Sequence, residues 1–136
     1  MPNKLKLILV VDDAAINLMG TSLTVRSLGY TVHEAVSGRD ALVMLKERSY
    51  AAILMDVQMP EMSGIECTEK IRAIETGSHC RIPIIACSSM AESDAKQACF
   101  DAGMDAFLDK ACSSDELAKI LEQLVSGLPN LSGLTA

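Results

Sequence analysis

Five side chains in this sequence are of types that could do chemistry together. Asp12 and Asp13 end the run "ILVVDD", Asp56 ends "AAILMD", Ser88 follows "IPIIAC", and Lys110 ends "FLDK". Each follows a short apolar segment, where a stranded carboxylate or ammonium is expensive unless it has partners. Three carboxylates brought to one place repel unless a cation sits among them. Hard oxygen ligands of this kind suit Mg²⁺, which keeps several waters and leaves room for a phosphate oxygen. Lys110 supplies a flexible positive charge for Asp56 or for an incoming anion. A carboxylate in such company can itself act as a nucleophile, giving an aspartyl phosphate.

These residues converge only if the chain brings their segments to one edge. Apolar, strand-like runs at 5–11, 31–35, 51–55, 82–87 and 105–109 alternate with helical patterns. Ile16, Met19 and Leu23 fall at helical spacing after the first run, and Gly29 supplies a stop. Ser37 caps a second helix carrying Ala41, Leu42 and Leu45 on one face. Ile71 and Ile74 lie on a third that ends near Gly77, and Ala95, Ala98, Cys99 and Ala102 mark a fourth closed by Gly103. The last helix opens with the capping box Ser113-x-x-Glu116 and carries Leu117, Ile120, Leu121 and Leu124. Five βα units predict an α/β fold, a doubly wound parallel sheet of order 2-1-3-4-5 with helices on both faces. That flavodoxin-like order puts a crevice at the carboxyl ends of strands 1 and 3, where Asp12, Asp13 and Asp56 stand. Singly, Asp13 reads as a helix N-cap, Ser88 as a loop serine and Lys110 as a solvated lysine. Their joint placement at the ends of four strands makes a site the stronger reading.

The 136 residues suit one domain with a substantial core. Aromatic residues are only 3%, so the core is aliphatic and lacks the stacking platforms that hold single-stranded nucleic acid. A formal charge of −6 repels phosphate backbones and anionic membranes, which argues against direct nucleic-acid or membrane binding. The five cysteines (Cys67, Cys80, Cys87, Cys99 and Cys112) form no CxxC pair and read as small buried hydrophobes in a reducing compartment. With no signal peptide or membrane-length apolar run, a cytoplasmic protein or domain is expected. From residue 126 periodicity is lost, so residues 126–136 read as a tail or linker after a domain spanning 1–125.

The motifs "ILVVDD", "MDVQMPEMSG", "IPIIACSS" and "FLDK", in this order and spacing, closely resemble the receiver domain of two-component response regulators and hybrid histidine kinases. "MDVQMPEMSG" is most like the receivers of hybrid kinases. The resemblance implies that Asp56 accepts a phosphoryl group from a phosphohistidine of a histidine kinase or histidine phosphotransfer protein. It implies direct Mg²⁺ ligation by Asp13, Asp56 and the backbone carbonyl of Gln58, with Asp12 acting mainly through water. Lys110 would hold a phosphoryl oxygen, Ser88 would move to bond another, and Phe107 would turn inward on activation. The face of the fourth helix and fifth strand would read that change, and it is also where two copies would pair.

The chain departs from the family after Lys110, where Ala111 replaces the usual proline and its cis peptide. A non-proline cis bond costs roughly 3–4 kcal/mol, so a trans bond and a shifted loop are expected. Ser89 replaces the small residue usual after the switch hydroxyl and should still admit a phosphoryl group. Other functions fit less well. A flavin carrier of this fold would want aromatics and a hydroxyl-rich phosphate loop where "DDAA" stands. An aspartate-nucleophile phosphatase would place its two acids two apart after the first strand. A receiver reduced to a scaffold would not keep the whole acid pocket with Ser88 and Lys110.

Overall fold

In the computed structural model, which describes residues 6–75, 81–89 and 93–126, strands and helices alternate along the chain. They run β1 (Leu7–Val11), α1 (Ala15–Ser27), β2 (Thr31–Ala35), α2 (Gly38–Glu47), β3 (Ala52–Asp56), α3 (Gly64–Glu75), β4 (Ile84–Ser88), α4 (Ser93–Ala102), β5 (Ala106–Asp109) and α5 (Ser114–Ser126). The expected start of β1 at Leu5, the end of the third helix near Gly77, Cys80 and residues 127–136 lie outside the described residues.

The sheet is parallel throughout with order β2-β1-β3-β4-β5, as the alternation predicts. Side chains alternate across it. Leu9, Val11, Ile53 and Met55 pack with Ala41, Cys67, Ile71 and Cys99 of α2, α3 and α4. Ile8, Val10, Leu54 and Ile85 pack with Leu18 and Val25 of α1 and Leu117 and Leu121 of α5. Central β3 is buried along its whole length, which is why it reads as a continuous apolar run. Ser37 caps α2 by accepting from Asp40 N at 3.0 Å, and Ser113 accepts from Glu116 N at 3.2 Å at the start of α5. Among the described residues, no helix is long and apolar enough to cross a membrane.

The stripe of α1 legible in the sequence faces outward. Ile16, Met19 and Leu23 are 85%, 62% and 58% exposed, while Leu18, Ser22 and Val25 face the core. Apolar residues lie all round this helix, so spacing alone does not select the buried side. Ile74 of α3 is likewise exposed, and Ile71 carries that helix's contact with the sheet.

At the amino end of the sheet, Arg72 ties three elements together. Its guanidinium donates to Gly103 O at 2.9 Å and Ile82 O at 2.8 Å, and pairs with Glu75 at 2.7 Å and Asp105 at 2.9 Å. Asp105 also accepts from Ile84 N at 2.9 Å, so α3, β4 and the turn before β5 share one network. Arg72→Ala leaves two carboxylates and two carbonyls short of a donor, and should destabilise the fold by about 3 kcal/mol. Urea denaturation measures this; a loss under about 1 kcal/mol would show that water replaces the guanidinium.

Candidate functional site at the carboxyl edge of the sheet

Strands β1 and β3 are neighbours, so their last residues meet. Asp12 follows β1 and is 4% exposed; its N donates to Ala35 O at 3.1 Å, and its Oδ1 accepts from Ala14 N at 2.9 Å. That second bond holds the carboxylate at the entry to α1. Asp13 is exposed, and the N-cap of α1 is Ala14, so the capping role open to Asp13 is not used. Asp56 closes β3, is 4% exposed, and accepts from Gln58 N at 3.4 Å. One carboxylate oxygen from each of Asp12, Asp13 and Asp56 lies within 4.8 Å of the others.

Lys110 enters from the far side. Its N donates to Ser88 O at 2.9 Å, fixing the end of β5 to β4. Its Nζ stands 3.0 Å from Asp56 Oδ1 and 3.2 Å from Asp12 Oδ2. The Lys110–Ala111 peptide is trans, as expected from the missing proline, and the ammonium still reaches both acids. Ala111 N instead donates to Asp109 Oδ1 at 2.8 Å, a bond a proline could not make.

Burial pushes the Asp56 carboxyl up to about 6; Lys110's hydrogen bond opposes this and the nearby Asp12 charge adds to it. Burial alone would lower the Lys110 ammonium, but hydrogen bonds and charges from Asp56 and Asp12 outweigh it and leave the ammonium above its ordinary value. Three carboxylates face one ammonium, so acidic oxygens outnumber the basic group. Oxygen donors with that excess fit a hard divalent cation.

Ser88 is the last residue of β4, 2% exposed, on the same edge; Asp56 pairs in register with its neighbour Cys87. Phe107 lies on edge strand β5 opposite Ala86, partly buried against the core layer that includes α4's Cys99. The structure thus brings Asp12, Asp13, Asp56, Lys110 and Ser88 to one rim, with Phe107 set back along β5.

One residue that holds the site escaped the sequence reading. Gly64 opens α3, and its N donates to Val57 O at 2.9 Å. A Cβ at this position would collide with the backbone carbonyl of Asp56. The "PEMSG" punctuation marks a loop but not this close approach. Within that loop Glu61 adopts φ 67°, a left-handed conformation unusual for a residue with a side chain.

The sequence profile of the response regulator receiver domain matches residues 8–122. The chain belongs to this family. The receiver is 40% identical over 121 residues to hybrid signal transduction protein dokA of Dictyostelium discoideum, covering 88% of this chain and 7% of that protein. It is 36% identical over 115 residues to sensor histidine kinase RcsC of Salmonella typhi, covering 85% of this chain and 12% of RcsC. The receiver therefore spans a small part of these curated relatives. Among solved structures, the receiver domain of sensor histidine kinase PA1611 from Pseudomonas aeruginosa superposes with TM-score 0.81 at 36% identity, over 89% of this chain and 98% of that one. That structure has a magnesium ion coordinated in its active-site cleft. The receiver of histidine kinase CKI1 from Arabidopsis thaliana, complexed with Mg²⁺ and BeF₃⁻, gives TM-score 0.80 at 35% identity over 89% and 90% of the two chains. This receiver belongs to a family of signalling domains.

Proposed function

We propose that this receiver is a phosphorylation switch in which Asp56 attacks the phosphorus of a phosphohistidine and becomes an aspartyl phosphate. The observation that carries the reading is Lys110 bridging Asp12 and Asp56 inside a cluster of three carboxylates. Asp13, Asp56 and the Gln58 carbonyl are assigned to Mg²⁺, with Asp12 acting through water. The cation supplies charge neutralisation for the incoming phosphoryl oxygens. Lys110 orients one of those oxygens and Ser88 hydrogen-bonds another. The departing imidazole keeps the electrons of the broken N–P bond and takes up a proton. Slow return of the phosphoryl group to water is assigned to the same pocket.

The donor is assigned to a histidine kinase or histidine phosphotransfer protein. The exposed stripe of Ile16, Met19 and Leu23 on α1, beside the acid pocket, supports docking of such a partner. Phe107 is assigned to carry the change to the α4–β5 face, where a second copy or an output partner binds. The domain is assigned to the cytoplasm at residues 1–125, with 126–136 as a C-terminal tail or linker.

With Mg²⁺ and acetyl phosphate, the protein should gain one acid-labile phosphoryl group, and chelation of the metal should prevent it. Intact-mass measurement reads the gain; the absence of any adduct would overturn the switch. Asp13→Ala should weaken Mg²⁺ binding about tenfold or more, and Asp12→Ala less. Calorimetric titration with Mg²⁺ separates them, and unchanged affinity in both variants would remove the acid pocket as the metal site.

A further inference from the structure

Behind Lys110, between α1 and the start of α5, lies a cavity of about 370 Å³ that the phosphorylation chemistry does not use. Leu54, Leu108 and Leu117 form its floor, Gly20 and Thr21 of α1 one wall, and Cys87 and Cys112 both line it. The two cysteines come from different elements but belong to one core layer. Cys87 is in β4, opposite Leu108 of β5. Two residues past β5's end the chain turns back: Cys112 N donates to Asp109 O at 2.9 Å, closing a turn whose ends stay within about 7 Å. Lys110 N, bound to Ser88 O, pins this turn to β4 one residue beyond Cys87. Cys112 therefore returns over the sheet at the level of Cys87, and both side chains line the same cavity and pack in the same core layer. Both thiols are free and partly buried.

We propose that Cys87 and Cys112 are an oxidisable pair, a modification site for hydrogen peroxide that closes into an intramolecular disulfide across the cavity. The Cys112 sulfur attacks peroxide, giving a sulfenic acid and one water. The Cys87 sulfur then displaces the sulfenic hydroxyl, forming the S–S bond and releasing a second water. Two thiol protons leave and peroxide is the two-electron oxidant, so the step balances. Burial keeps Cys112 mainly as the thiol, and Glu116 and Asp109 act in the same direction, so oxidation is slow. Both side chains border the cavity, so the bond would close through open space on that side. A bond between them would tie the turn that carries Lys110 to the strand that carries Ser88.

The test uses the full chain with Cys80→Ser, treated with hydrogen peroxide while folded. Peptide mapping should find Cys87 joined to Cys112, with the intact monomer lighter by two hydrogens and restored by dithiothreitol. Adding Cys87→Ser should stop Cys112 at a dimedone-trappable sulfenic acid. Cys112 driven to sulfinic or sulfonic acid while Cys87 stays a thiol would overturn the pair. So would disulfides only between molecules, or both thiols intact. The parent protein's peptide map decides this even if the second variant misfolds. Labelling by acetyl phosphate should fall several-fold on oxidation and recover on reduction. That effect rests on the proposed phosphoacceptor role: a disulfide in a protein that is never labelled would refute that role and leave the pair standing. Unchanged labelling of the oxidised protein would refute the coupling of the pair to Lys110.

Discussion

Asp56→Asn should take up no phosphoryl label from acetyl phosphate and Mg²⁺, and without metal it should be more stable than the parent. Both effects follow from the placement of one carboxylate. Asp56 is the acid at the end of the central, fully buried strand, and it is the partner that Lys110 reaches at 3.0 Å. The amide lacks the anionic oxygen that attacks phosphorus, so the loss is complete rather than partial. The folded-state value of about 6 lies above the ordinary 3.8, so the folded protein holds this proton more tightly than the unfolded chain does. The associated stability is full below about pH 4 and is lost as pH rises through about 6. A displacement of that size, already net of the ion pair with Lys110, corresponds to roughly 3 kcal/mol, and Asn keeps only part of it because an amide is not a perfect stand-in for the neutral carboxyl. The expected gain for Asp56→Asn at pH 7.5 is about 1–2 kcal/mol, shrinking as the pH falls below 6. Mg²⁺ should stabilise the parent and narrow the difference. Denaturation across pH 4–8 with and without Mg²⁺ reads all three trends. Equal labelling of the variant would show that Asp56 is not the acceptor, and a variant less stable at every pH would show that Lys110 outweighs burial.

Gly64→Ala should be the most damaging single-methyl change near the site. The added Cβ would overlap the carbonyl oxygen of Asp56 and approach Met55 Cγ to 2.9 Å. The first obstacle is backbone of the central strand, held by pairing with β4 and by burial on both faces, so it cannot swing aside. The start of α3 must move instead, breaking the bond from Gly64 N to Val57 O that closes the loop after Asp56. The expected cost is about 3 kcal/mol. Phosphoryl uptake should also fall, because Gln58 and the Asp56 carboxylate move with that loop. Gly20→Ala is the matched control: it adds the same methyl to α1, where nothing lies within 4 Å. Helix propensity favours alanine there by up to about 1 kcal/mol. Melting temperatures and acetyl phosphate labelling of the two variants decide the matter, and equal behaviour would mean that α3 can shift at no cost.

Much of this protein is legible in its residues. A fully buried parallel strand must be apolar throughout, so the central run before Asp56 announces itself, and an acid at its end stands out against that background. The βα alternation then restricts the sheet to few orders, and the order alone makes neighbours of Asp12 and Asp56. What the residues could not show depends on distances between segments far apart in the chain. Lys110 was expected beside Asp56, but its equal reach to Asp12, from a loop without the family's proline, follows from Lys110 N being pinned to Ser88 O. Gly64 looks like loop punctuation until β3 and α3 are packed, because a missing Cβ leaves no trace in a pattern of side chains. For α1, both Ile16–Met19–Leu23 and Leu18–Ser22–Val25 obey the helical period. The side that was buried was settled by which one met β1 and β2, and that choice left the more apolar stripe facing solvent.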